Sequence, residues 1–185
     1  MVQVVVPLAA GFEEIEAVSI IDVLRRAGVE VVAAALETPG PIRGSHDITL
    51  HTEVALPQLD VRDFDLIILP GGEPGTTHLS DSALLLRWLQ EMAAAGKPLA
   101  AICAAPRVLA QAGLLDGHAA TSHPSVADAV RRAGADYREE RVVCSGAIVT
   151  SRGPGTALEF SLAVLATLGL ESEAAKLRHS MLVSG

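Results

Sequence analysis

Aromatic residues are scarce in this sequence. They make up 3% of 185 residues while hydrophobic residues make up 50%, so a core has to be built from Ala, Val, Leu and Ile. A chain so rich in aliphatic side chains can offset its ordering entropy and is not disordered. Basic charge is short as well: 14 Lys+Arg stand against 22 Asp+Glu, a formal net charge of −8. Without a basic segment or an aromatic stacking platform, a nucleic-acid partner is not expected, because phosphate backbones need concentrated positive surface. Long apolar runs are missing too. The longest candidate, residues 158–170, falls short of the roughly 18 residues a membrane span requires; it carries Glu159 and reads as a buried helix. Met1 runs into Val2-Gln3-Val4-Val5-Val6 with no positive n-region, so no secretory signal is legible. Two cysteines, Cys103 and Cys144, cannot make a disulfide scaffold, and a reducing, cytoplasmic setting is the expectation.

What is present is an alternation of β-branched runs and amphipathic stretches. Residues 2–6 form a continuous apolar run, the pattern of a strand buried on both faces. From Glu13 a helical period places Ile15, Val18, Ile20, Ile21 and Leu24 around one side, and Gly28 closes it. Residues 29–36 read as a second strand, completing a βαβ unit and implying a parallel sheet. Residues 38–56, with Pro39-Gly40-Pro41 and short alternations, predict a small antiparallel excursion. Strands then follow at 65–69 and 98–102, with helices at 82–95 and 103–112. A short strand at 119–122 precedes a helix at 125–133. Two strands, 141–145 and 147–150, flank a Ser145-Gly146 turn, and helices at 156–168 and 172–179 end the pattern. No linker, charge block or repeat interrupts it, so one domain over residues 1–185 is expected. The fold class is α/β, three-layered, with helices on both faces of a mostly parallel sheet.

In open α/β sheets, ligands bind at the carboxyl ends of strands. Just beyond the first predicted strand lies Ala10-Gly11-Phe12-Glu13-Glu14-Ile15-Glu16. Beyond the 65–69 strand lies Pro70-Gly71-Gly72-Glu73-Pro74-Gly75. Cys103 follows the next strand at once, His123-Pro124 the one after, and Ser151-Arg152-Gly153-Pro154-Gly155 the last. A thiol, a carboxylate, an imidazole and two glycine-rich turns are thus brought to one rim. Cys103 passes from strand to helix without a loop, between small residues, as a nucleophile elbow demands. At a helix N-terminus its pKa is expected to fall from about 8.5 to about 4–7; a buried structural cysteine is the plainer alternative. Glu13 and Glu14 read as complements to the helix dipole. Glu16 shares a face with Ile20 and is expected to point inward, where burial would keep it protonated. His123 is either a loop histidine with a structural hydrogen bond or part of the site. Gly71-Gly72 is either a plain turn or a source of bare N–H groups for an oxyanion. Neither glycine-rich turn matches a phosphate loop or a dinucleotide fingerprint. His46, His51, His78, His118 and His179 lack metal-ligand spacing, so no metal and no cofactor is expected. Cys144, mid-strand, reads as a quiet core thiol.

Taken together, Gly11-Phe12-Glu13-Glu14-Ile15-Glu16, Leu69-Pro70-Gly71-Gly72, Ala100-Ala101-Ile102-Cys103-Ala104-Ala105-Pro106, Ser122-His123-Pro124 and Thr150-Ser151-Arg152-Gly153-Pro154-Gly155-Thr156 resemble the DJ-one/ThiJ/PfpI superfamily. The resemblance is to its DJ-one branch and spans nearly the whole chain. It implies a flavodoxin-like sandwich and a homodimer. It implies that Cys103 is the reactive thiol, Glu16 its protonated partner and His123 the nearby histidine. Gly71, Gly72 and Ala104 would line the oxyanion and substrate position, with Pro154 close by, from either subunit. Three departures bear on function. Ala104 stands where the peptidase-like branch has a histidine. Ser125 stands where amidotransferases of related fold have a carboxylate. His46 replaces an arginine of some relatives, with Arg25 and Arg26 as possible substitutes across a dimer. The expected activity is glyoxalase III-type conversion of methylglyoxal or glyoxal to a hydroxy acid, or a deglycase-like reaction. The alternative is a redox-responsive stress or chaperone-like protein whose cysteine oxidises to a sulfinate.

Overall fold

The strands owe their place to apolar runs that serve two faces at once. In the computed structural model, which describes residues 1–183, β1 (Gln3–Leu8) sends Val4, Val6 and Leu8 into one hydrophobic cluster and Val5 into another. This is the period-2 alternation of a strand covered on both sides. The first helix, α1 (Glu14–Arg26), returns the chain to β2 (Glu30–Ala35), which pairs parallel to β1. The expected antiparallel excursion is the hairpin β3 (Gly40–Arg43) and β4 (Thr49–Thr52). A short strand, β5 (Val54–Ala55), then joins the edge of the main sheet beside β2.

The rest of the sheet grows on the other side of β1. The chain continues through β6 (Leu66–Leu69), α2 (Gly75–Asp81), α3 (Ala83–Ala94), β7 (Leu99–Ile102), α4 (Pro106–Gln111), β8 (Ala119–Ala120), α5 (Ala127–Arg132), β9 (Asp136–Tyr137), β10 (Val142–Ser145), β11 (Ile148–Ser151), α6 (Ala157–Thr167) and α7 (Glu171–Ser180). The seven-stranded sheet runs β10-β11-β7-β6-β1-β2-β5, with only β10 antiparallel to its neighbour. Between β1 and β6 the strand order reverses direction, the switch point at which such sheets open a crevice. Ile20, Leu24, Phe160 and Leu165, from α1 and α6, cover one face; Leu85, Trp88, Leu89 and Val108, from α3 and α4, cover the other. The structure is an α/β sandwich with helices on both sides of a mostly parallel sheet, as expected.

Three local expectations are corrected, and one helix is added. The helix after β7 begins at Pro106, not at Cys103, because residue 103 has a φ of +64°, outside helical space; a proline without an N–H suits the first helical position. The strand expected at 119–122 is only Ala119–Ala120 and pairs with β9 in a separate two-stranded sheet. Helix α2 has no forecast in the sequence, since Gly75-Thr76-Thr77 are poor helix formers; it forms because Thr76 and Leu79 are buried and Thr76 Oγ1 donates to the Gly72 carbonyl at 2.6 Å. Finally, Ile15 and Val18 are 58% and 45% exposed. At 3.6 residues per turn, the face carrying Glu16, Ile20, Val23 and Leu24 leaves them on the opposite side.

Candidate active site

Cys103 leaves the carboxyl end of β7 on a turn whose backbone is fixed at both ends. Its N–H donates to the Ser151 carbonyl of β11 at 2.9 Å, and its carbonyl accepts the His123 N–H at 2.7 Å. The turn throws the half-buried thiol back toward the crevice. There the backbone N–H groups of Ala104 and Gly72 face the sulfur. Gly72 supplies its amide from a φ of +93°, a conformation that suits glycine. Gly71 is required for another reason: a β-carbon on it would sit 2.6 Å from Cys103 Cβ and 2.8 Å from Glu16 Oε2. Bare backbone at this turn lets thiol and carboxyl meet.

Glu16, in the first turn of α1, is fully buried. The helix enters at a fixed angle because Glu13 Oε2 accepts the Glu16 N–H at 2.8 Å, capping α1. Glu16 Oε2 accepts the Gly71 N–H at 2.7 Å. Oε1 has no hydrogen-bond partner of ordinary geometry among the described residues. Burial lifts the carboxyl to about 7; the Gly71 amide and the Cys103 thiol pull against that, and the charge of Glu13 adds to it. A carboxyl held there keeps its proton well above the usual carboxylate range, as the sequence led us to expect.

The thiol departs from expectation. Burial first, then the charge of an ionised Glu16 and a hydrogen bond to it, push Cys103 up to about 12, against the pull of the Ala104 and Gly72 amides. The expected lowering by a helix dipole fails because α4 begins three residues later and is six residues long. The two groups behave as a pair. An ionised Glu16 suppresses the thiolate; a protonated Glu16 removes that obstacle and leaves burial opposed by the two amides.

The remaining forecast residues fall into place unevenly. Gly71 is not a free oxyanion donor, since its amide is spent on Glu16; Gly72 and Ala104 are the amides at the sulfur. His123 is tied to Cys103 through the backbone, but its ring accepts from Ser125 and makes no hydrogen bond to Cys103 or Glu16 among the described residues. Pro154 opens the turn after β11, on the strand beside β7. Arg25 donates to the Val31 carbonyl and Arg26 to Asp22, both on their own chain. Along α1, Arg25 stands about 14 Å from Glu16, so neither arginine serves the site of its own chain. Cys144 is corrected: it is exposed, on the edge strand β10, with its thiol raised by partial burial.

Glu14 is the residue sequence reasoning undervalued. It is 3% exposed and receives the His46 N–H at 2.6 Å, the Ile48 N–H at 3.4 Å, the Ser45 hydroxyl at 3.2 Å and the His46 ring at 3.0 Å. Burial would raise its pKa, but these donors hold it at about 2. It is a staple between α1 and the β3–β4 hairpin tip, and its partners lie more than thirty residues away, beyond any local pattern. His46, raised in turn by Glu14, is exposed at this tip. Glu13, Glu14 and His46 bring ligand-type atoms within 4.8 Å of one another, yet His46 Nδ1 lies on Glu14 Oε2, so these lone pairs and protons satisfy each other. A separate cleft of about 730 Å³ at the ends of β1 and β2, lined by Leu8, Leu36, Ile42 and His78, contains neither Cys103 nor Glu16. Cys103 and Glu16 meet instead where β1, β6 and β7 end.

Residues 2–167 match the DJ-1/PfpI family. The chain is 41% identical over 182 residues to Protein DJ-1 homolog A of Arabidopsis thaliana, covering 98% of this chain but 46% of that protein. Thus it spans about half the length of that relative. It is 35% identical over 154 residues to a protein of Thermococcus kodakarensis named a deglycase, covering 83% of this chain and 91% of the relative. It is 36% identical over 156 residues to a glutathione-independent glyoxalase of Caenorhabditis elegans, covering 84% and 82%. Among solved structures, oxidized DJ-1 of Toxoplasma gondii superposes with a TM-score of 0.94 at 40% identity, covering 100% of both chains. No helix among the described residues is long and apolar enough to cross a membrane.

Proposed function

The chain belongs to the DJ-1/PfpI family, and from that premise we propose that it is a cysteine-dependent enzyme acting on small reactive carbonyls in the cytoplasm. The reaction is conversion of methylglyoxal or glyoxal to a hydroxy acid, with deglycase-like release as a variant of the same chemistry. The observation that carries it is the fully buried Glu16, held near neutrality beside the Cys103 sulfur and its two amides. The names of the Thermococcus and Caenorhabditis relatives support it.

For methylglyoxal the steps balance without an outside oxidant. Glu16 takes the thiol proton as the sulfur adds to the aldehyde carbon. A carbon–sulfur bond forms and the carbonyl π pair becomes an oxyanion facing the Gly72 and Ala104 amides. Glu16 returns that proton to the oxygen. The Glu16 carboxylate then removes the hydrogen from the former aldehyde carbon and delivers it to the adjacent ketone carbon, while the hydroxyl proton passes to the ketone oxygen. The first carbon is oxidised to a thioester and the second reduced to an alcohol. Water cleaves the thioester, releasing lactate and the free thiol. A carboxyl with pKa about 7 is suited to this work, because both its forms are available near neutral pH. Lactate formation should fall by about 10²–10⁴ in Glu16→Ala and at least as much in Cys103→Ser; unchanged turnover in either ends the proposal.

A second reading is favoured by the same thiol and by the oxidized state named for the Toxoplasma relative. Here a peroxide takes Cys103 to a sulfinate that the protonated Glu16 holds by a hydrogen bond. A two-oxygen adduct confined to Cys103, without carbonyl turnover, would select it. We propose also that the chain pairs with a second copy. Ile15, Val18 and Ile48 are about half exposed, and the Glu14 staple ties the hairpin that carries Ile48 to the helix that carries the other two. Sedimentation of Val18→Glu as a monomer, against a dimeric wild type, is the expected result.

A further inference from the structure

The ring of His123 caps its own turn. Nδ1 accepts the Ser125 backbone N–H at 3.2 Å and lies 2.8 Å from the Ser125 hydroxyl. A backbone amide can only donate, so Nδ1 must present a lone pair, and in the neutral ring the proton sits on Nε2. The other tautomer would set two hydrogens against each other. The hydroxyl, free to rotate, can turn its own hydrogen to the same lone pair. The Ser125 amide makes no other hydrogen bond among the described residues, so this is its sole use.

The backbone around the ring is fixed as well. The His123 N–H donates to Cys103, and the His123 carbonyl accepts the Ser122 hydroxyl at 3.0 Å. Cδ2, the ring carbon next to Nε2, lies 3.8 Å from where a side chain on Gly153 would begin, so this edge of the ring faces the turn that carries Pro154. No hydrogen bond within the described residues reaches Nε2. The nitrogen left free, on the ring edge beside the Gly153 turn, is the protonated one in the neutral ring.

We propose that Ser125 is a positioning residue that holds neutral His123 as the Nε2–H tautomer, so that His123 meets a bound carbonyl compound as a hydrogen-bond donor and not as a base. The donor role rests on the reading of the Cys103 crevice as a reaction site. It assigns the carbon-to-carbon proton transfer to Glu16 alone and leaves His123 to steady the neighbouring substrate oxygen through Nε2–H. The assignment of the ring to Ser125 does not depend on turnover.

Nitrogen-15 NMR of the histidine side chains tests it, with the His123 signals identified by their loss in His123→Gln. Above the imidazole titration range, wild type should show Nδ1 unprotonated and Nε2 protonated, with no detectable second tautomer. Ser125→Pro removes both donors and should let the Nδ1–H form appear; Ser125→Ala removes only the hydroxyl and should move the ratio less, providing a readout if the proline variant does not fold. A protonated Nδ1 in wild type overturns the proposal, as does a tautomer ratio unmoved in both variants. In turnover of methylglyoxal, His123→Gln, whose amide can still donate, should stay within about tenfold of wild type, while His123→Leu loses about a hundredfold. Equal losses would show a base and overturn the donor role. A wild type without carbonyl turnover but with the expected tautomer would sink the reaction and the donor role, and leave the hold of Ser125 on the ring standing.

Discussion

Glu14 and Glu16 stand two residues apart on α1, and both are buried, yet one is held at about 2 and the other at about 7. Burial raises each, and more strongly the deeper Glu16. The supply of donors widens the gap. Glu14 faces the hairpin tip, where two backbone amides, a hydroxyl and an imidazole converge on it. Glu16 faces the crevice, where one amide meets Oε2 and Oε1 goes without. The lesson is that depth alone does not decide whether an acid is charged; the N–H groups aimed at it weigh against burial. One carboxylate is held as an anion that joins two segments, and the other is held where it keeps its proton to near neutral pH.

The comparison breaks most visibly in Glu16→Gln. An amide can keep one hydrogen bond but cannot carry a proton, so turnover should fall about 10²–10⁴. At the same time, loss of the Glu16 charge should let the Cys103 thiolate form at lower pH than in wild type, read from its ultraviolet absorbance. Retained turnover, or a thiolate that becomes harder to form, would contradict the division of roles. Gly71→Ala tests the same meeting point sterically. Its β-carbon would press on Cys103 and Glu16, at about 1–3 kcal/mol of stability, and activity should drop more than stability accounts for.

Glu14→Gln should do the reverse. Turnover should change little, while removing a charged acceptor from the hairpin tip costs about 1.5–3 kcal/mol, seen as a lower midpoint in thermal unfolding. The pH dependence of that midpoint separates the two acids further. The lowered Glu14 contributes stability that is present above pH 4.5 and lost as pH falls toward 2. The raised Glu16 favours the fold below pH 4.5, a contribution lost as pH rises through about 7. Glu16→Gln should therefore flatten the curve between pH 4.5 and 7 and leave the acid limb alone. The smallest effect belongs to His46→Ala, whose exposed ring adds only one of several donors to Glu14; a thermal midpoint closer to wild type than that of Glu14→Gln is expected.

Much of the architecture was legible because its signals are local. Two-faced apolar runs at Val4–Val6 and Leu66–Leu69 can only be covered strands, and the Gly146 and Gly169 turns punctuate the hairpin and the long helix as the sequence suggested. The inward aim of Glu16 followed from its spacing to Ile20. What was not legible depends on contacts across the fold. Helix α2 is made by burial against weak propensity, and the staple at Glu14 joins segments remote in sequence. Cys144 lies at a sheet edge whose position depends on strand order. The direction in which Cys103 titrates turns on the charge of one neighbour, which no reading of residues 100–106 supplies.

The left-handed backbone at residue 103 has a consequence for how this protein could be hardened against heat. That conformation disfavours any residue with a β-carbon by about 1–2 kcal/mol, so serine and alanine inherit the penalty and glycine alone escapes it. Selection of random variants for survival at high temperature, with no demand for turnover, should therefore enrich glycine at 103. The sturdiest descendant of this chain would be one that has discarded the thiol at 103.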